Sequence, residues 1–184
     1  MEEKPHIKYH LVKLIVCVIG AIIIFVFREQ IVEHLKYFIG GLMLVYGVEE
    51  IAFEFYCHHL KLYKKGKTYL GLVELILGLT TLIMPLEYSA VCIIWATWSI
   101  VRESHEIKEL VTEIVSVPLT IISGLESIAV IVLSIMLIAE PTHHHAMIHI
   151  YLLLVELILT PLVPMLDEYF ESKKHKAVEK KEEK

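Results

Sequence analysis

The sequence predicts an all-α polytopic membrane protein, with six transmembrane helices arranged as three hairpin repeats. Three observations carry that prediction. The chain of 184 residues is 56% hydrophobic, with a mean hydropathy of +0.63, whereas soluble domains usually sit near about 45–50% apolar. The excess is gathered into six apolar stretches separated by charged or turn-forming residues. Of the 17 lysines and arginines, only Arg28 and Lys36 lie in the loops on one side; the rest lie on the other.

The first span covers 11–27, after a short charged N-terminus. No small-residue cleavage site follows it, so it reads as a retained helix rather than a signal peptide. The second, 37–56, ends among Glu49, Glu50 and Glu54. The third, 68–84, stops before Pro85, which has no N–H to extend a helix. The fourth runs from 88 to 101 or a turn later, and Arg102, Glu103 and Glu106 stand at its end. The fifth, 115–139, stops before Pro141. The sixth, 146–166, contains Glu156, and Pro161 and Pro164 should kink it. Most spans approach the roughly 20 residues that cross the hydrocarbon layer. The first, third and fourth are short, which snorkelling ends or local thinning would accommodate.

These spans form one domain over 1–170. Residues 171–184 are charged and lack apolar periodicity, so a disordered tail or a frayed helix is expected there. Its lysines suit an anionic membrane face. The lysine bias places both termini in the cytoplasm and the loop of His143, His144 and His145 outside. The formal net charge of -5 makes no case for nucleic acid. Cys17, Cys57 and Cys92 are scattered and odd in number, so they read as small apolar fillers and not as a disulfide framework.

The three hairpins recur at intervals of roughly 50–60 residues, the scale of a structural repeat. Gly20, Gly78 and Ser134 each stand seven residues before Phe27, Pro85 and Pro141, where the odd-numbered spans end. Gly47, Ser99 and Thr160 each stand seven residues before Glu54, Glu106 and Asp167. Gly40 and Gly47, like Gly71 and Gly78, share the seven-residue spacing. Small residues on one helix face let backbones approach closely in lipid.

In the stretches VCVIGAIIIFVF, YFIGGLMLVYGVEEI, GLVELILGLTTLIMP and SGLESIAVIVLSIMLIAEP, the chain resembles the HdeD family of short-repeat membrane proteins. Each stretch has the pattern of a glycine-punctuated apolar helix, or of its partner with a glycine step. The resemblance extends to about Phe170. It implies six spans in the inner membrane and a part in acid or envelope stress. It supplies no catalytic residues. The number of intramembrane acids and the histidine run depart from the family pattern.

The acids are the costly feature. A carboxylate at the centre of a bilayer costs on the order of 2.5–3.5 kcal/mol on insertion scales. Glu49, Glu50, Glu54, Glu74, Arg102, Glu103 and Glu106 fall in the cytoplasmic half, while Glu126 and Glu156 fall near the midplane. All should face the bundle interior. Arg102 is expected to join Glu49 or Glu50 to Glu106, its own i+4 partner, in a structural ion-pair network. No cation is expected at the depth of Glu126 and Glu156. These two are expected to be protonated at neutral pH, or hydrogen-bonded to each other or to Ser123, Ser127 or Thr160. A proton relay through them is the functional alternative.

Two metal readings stand beside bland ones. Glu50, Glu54, Cys57 and His58 share one helix face and could ligate zinc or a similar cation; alternatively they simply reach the interface. His143, His144, His145 and His149 crowd the outer end of the last hairpin and could bind metal or respond to acid; alternatively they form a solvated turn. The leading expectation is a non-enzymatic HdeD-like membrane protein with the lipid bilayer as its main partner, a capacity to form homo-oligomers, and no cofactor. The alternative is a small transporter of protons or divalent cations that uses the intramembrane glutamates. A membrane-embedded metal hydrolase ranks last, because most histidines lie on the side opposite the acids.

Overall fold

The computed structural model describes residues 5–59, 68–113 and 117–182. Among these residues the protein is all-α. Its helices are α1 (Pro5–Val26), α2 (Arg28–Glu33), α3 (Leu35–His59), α4 (Thr68–Ile83), α5 (Tyr88–Glu113), α6 (Val117–Ala139) and α7 (His143–Glu182). Six of them match the six apolar stretches. The short α2 was not expected; it fills the stretch between the first two spans. The charged tail continues α7 as far as Glu182.

The chain divides into two compact units, Glu29–Trp95 and the combination of Met1–Arg28 with Ala96–Lys184. The smaller unit is organised by α3 packed on α4. This contact is backbone against backbone. A Cβ on Gly47 would stand 2.6 Å from the Gly71 carbonyl oxygen, and one on Gly78 would stand 2.8 Å from that of Gly40. The seven-residue glycine spacing therefore forms the α3–α4 seam, with Gly40 against Gly78 and Gly47 against Gly71. The two contacts fix the pair as antiparallel. Gly41, one residue away, faces open space.

In the larger unit α7 packs against both α1 and α6. Helices α6 and α7 are joined through Pro141 and Thr142. The Thr142 carbonyl accepts from the Ala146 amide at 3.0 Å, and its hydroxyl oxygen accepts from the His145 amide at 3.3 Å. Thr142 is thus the N-cap of α7. Buried positions on α6 are Leu119 and, recurring every three or four residues, Ser127, Val130, Ser134 and Leu137. On α7 the buried series includes Ala146, His149, Leu153, Glu156 and Val163. Both series have helical period, so each marks one face.

Polarity in these helices is turned inside out. Ile121, Ile122, Leu125, Ile128, Val132 and Ile135 on α6 are exposed, while Glu74, Arg102, Glu103, Ser134, His149 and Glu156 are buried. Helices α6 and α7 are long and apolar enough to cross a membrane, α7 over His143–Asp167. A core helix of a soluble protein would be mostly buried; these apolar windows are 22% and 39% buried. Leu11–Val26 and Tyr69–Ile83 are shorter apolar helices.

A carboxylate cluster around Arg102

The last part of α5 turns Arg102 and Glu103 inward, with Glu106 one turn beyond. Arg102 is the hub. Its Nε donates to Glu106 Oε1 at 3.2 Å, and its Nη2 reaches the same oxygen at 3.3 Å. The same Nη2 lies 3.1 Å from Glu156 Oε1 on α7. The guanidinium stacks on the Trp98 ring, 5.6 Å from its centroid, a contact that suits a planar delocalised cation. The Glu106 bond is the i+4 pair expected from sequence. The Glu156 bond is a correction: this acid has a cation beside it after all. Arg102 and Glu156 are 54 positions apart in the sequence, so no spacing rule links them. Only the packing of the helices does.

The remaining members gather around that hub. Glu103 is 1% exposed. One oxygen accepts from the Ser127 hydroxyl on α6, and its Oε2 is buried without a hydrogen-bond partner. Ser127 thus serves Glu103 and not Glu126 or Glu156. Glu126 lies within electrostatic reach of Glu103, Glu156, Glu106 and Arg102, and its Oε1 is also buried without a hydrogen-bond partner. Thr160 does not bond a carboxylate as anticipated; its hydroxyl donates to the backbone carbonyl of Glu156 at 2.8 Å. That bond braces α7 just before Pro161 and Pro164, which cannot donate to the carbonyls of Leu157 and Thr160.

Charge counting defines the chemistry. Among the described residues four carboxylates lie around one guanidinium, and a weakly screened interior cannot hold that imbalance with every acid ionised. Their titrations are coupled, so protons belong to the group and not to one residue. Glu106 is more accessible than Glu156, its side chain 29% exposed against 9%. One oxygen from each of Glu103, Glu106 and Glu156 falls within 4.8 Å of the others, a spacing that a hard cation could bridge. Arg102 already stands among these oxygens, so a metal ion would have to share them with the guanidinium.

The other expected site residues fall elsewhere. Glu49, Glu50 and Glu74 belong to the smaller unit, where Glu74 is fully buried. The side chains of Glu54, Cys57 and His58 lie outside the described residues, and with them most of the zinc face proposed for α3. The histidine run divides. His143 and His144 are exposed. His145 Nδ1 bonds the Glu140 carbonyl at 2.9 Å, and its ring lies 5.9 Å from that of His144. His149 turns inward, and its Nε2 shares a hydrogen bond of 2.9 Å with the buried Ser134 hydroxyl on α6. Among the described residues the histidines form no three-ligand set with one another. A signal for this separation was present: His149, Leu153, Glu156 and Thr160 follow i, i+4, i+7, i+11 spacing, which is one helix face.

Comparison of the chain with protein-family models, with curated proteins and with solved structures yields no match.

Proposed function

We propose that this chain is an integral inner-membrane protein of six spans, HdeD-like and non-enzymatic. In this reading it acts in acid or envelope stress by taking up protons at the Arg102 cluster. The observation that carries the reading is four carboxylates held around one guanidinium between apolar helices. A purely structural network would be expected to match its charges. This one holds more acid than it can neutralise, and leaves Glu103 Oε2 and Glu126 Oε1 without hydrogen-bond partners. Protons are the smallest species that correct both faults. The lysine bias supports cytoplasmic termini and, with them, Glu106 as the cytoplasmic end of the cluster.

A second reading has its own observation. The 4.8 Å convergence of Glu103, Glu106 and Glu156 supports a divalent cation in place of protons. Proton uptake by the purified protein distinguishes the two. Unbuffered protein in detergent is stepped from about pH 8 to about pH 5, and the protons bound are counted. The proposal expects wild type to bind more protons than Glu126→Gln/Glu156→Gln, beyond the two ionisable groups removed. Equal uptake after allowing for those groups would sink it. Calorimetric titration with Mn²⁺ at neutral pH tests the cation reading.

A further inference from the structure

The Arg102 cluster is not the last polar layer in the α6–α7 seam. The Ser134–His149 bond sets the antiparallel register of the two helices. Stepping along the buried faces from that bond pairs Val130 with Leu153, then Ser127 with Glu156. All six of these residues are buried. The seam therefore reads as three layers. A histidine–serine layer lies toward the Thr142 end of the hairpin. An apolar layer follows, with Val130 1% and Leu153 4% exposed. The carboxylate cluster comes third. His149 and Glu156 are seven residues apart on one face, or about 10 Å along the axis, two helical turns. That is too far for a hydrogen bond and spans one side-chain layer.

We infer that His149, held by Ser134, is a second proton station on a path through the α6–α7 seam, and that Val130 and Leu153 form the barrier between it and the Arg102 cluster. This rests on the proposed proton uptake by the cluster and extends it to proton transfer across the membrane. Imidazole is suited to the step because it accepts a proton at one nitrogen and releases it from either. A proton from the outer water converts neutral His149 to imidazolium. When Leu153 and Val130 part and admit water, the proton passes to a carboxylate of Glu156 or Glu126. The ring returns to neutral and the carboxylate becomes a carboxylic acid. The proton then moves within the cluster to Glu106, which releases it to the cytoplasmic water, and the accepting carboxylate is restored.

The groups around His149 fit a transient carrier. Helices α1 and α6 pack on α7, and α5 reaches it through the Arg102–Glu156 pair. On α6 the facing group is Ser134. On α7, His145 stands one turn outward and bonds the Glu140 carbonyl, with the Glu140 carboxylate 3.9 Å from the same nitrogen. On α1, Gly20 lies against Leu157.

The test is proton flux into proteoliposomes carrying an internal pH dye, with acid imposed outside. It compares wild type, His149→Gln, Ser134→Ala and Leu153→Ala. Glutamine keeps a hydrogen bond to Ser134 but cannot carry a proton, so His149→Gln is expected to lose at least about tenfold in rate. Ser134→Ala, which frees the ring, should fall by less. Leu153→Ala thins the barrier and should raise the rate several-fold. Wild-type flux retained in His149→Gln overturns the inference, and so does unchanged flux in Leu153→Ala, which decides the matter if the glutamine variant does not fold. Proton uptake without wild-type flux overturns the inference alone; absence of uptake removes the proposed function as well.

Discussion

Replacing Gly47 with alanine tests the packing of the smaller unit at its tightest point. A Cβ there would stand 2.6 Å from the Gly71 carbonyl oxygen and 3.0 Å from the Leu75 backbone nitrogen. Ordinary contact begins near 3.4 Å, so the carbonyl must retreat by about 0.8 Å. Neither backbone atom can swing aside as a side chain would. The adjustment therefore falls on the spacing of α3 and α4, and it also loosens Gly40 against Gly78. Overpacking of this kind costs about 1–3 kcal/mol, and alanine returns about 0.5–1 kcal/mol of helix propensity. A net loss of up to about 2.5 kcal/mol follows, and a gap of about 1–3 kcal/mol from a glycine-to-alanine change that meets no overpacking. Gly41→Ala is the matched control: its Cβ meets nothing within 4 Å, so it should be neutral or gain the propensity term. Both variants are compared with wild type by denaturant-dependent unfolding in detergent. If Gly47→Ala is as stable as Gly41→Ala, the glycine seam does not hold the two helices together.

Further outcomes are expected in the larger unit. Arg102→Gln leaves Glu106 and Glu156 without their shared cation and should destabilise by about 3–5 kcal/mol, read as a large fall in melting temperature; adding Glu156→Gln to it should recover part of that loss. If the cluster holds protons that the unfolded chain would release near neutrality, stability is lost as pH rises. Melting temperature should therefore decline from about pH 5 to about pH 9, and Glu126→Gln/Glu156→Gln should flatten that slope; a rising slope in wild type would contradict the charge count. Ser134→Ala removes one interhelical bond and should cost about 0.6 kcal/mol, the average for such bonds in lipid. Thermal scans resolve that change only against a matched neutral variant such as Ile128→Val, at an exposed position.

Much of the fold was legible because its signals are local. Apolar run length and the prolines at 85 and 141 marked the helices, and glycines seven apart marked the face on which α3 meets α4. The Arg102–Glu106 pair was legible for the same reason, since i+4 is a property of one helix. The Arg102–Glu156 contact was not, because it depends on how α5 and α7 pack. Assigning Glu156 to the midplane and Arg102 to the helix end made them look distant. A long guanidinium reaching inward removes that distance. His149 was grouped with His143, His144 and His145 by proximity in the chain, although its helical phase already matched Glu156. The short α2 escaped because six residues carry too little periodicity to read.

The reversal of polarity between the outside and the interior of α6 has a consequence for how this protein tolerates change. Ile121, Ile128, Val132 and Ile135 are each at least half exposed, so one branched or straight aliphatic chain should replace another freely. Ser127, Ser134 and the groups they bond have neighbours at fixed distances, and few alternatives fit. Variation should therefore accumulate on the greasy exterior and spare the hydrophilic lining, so that the tolerant positions are apolar and the constrained ones polar. The same asymmetry makes the exterior the place to begin a water-soluble version of the protein, repainted residue by residue while the Arg102 cluster stays as it is.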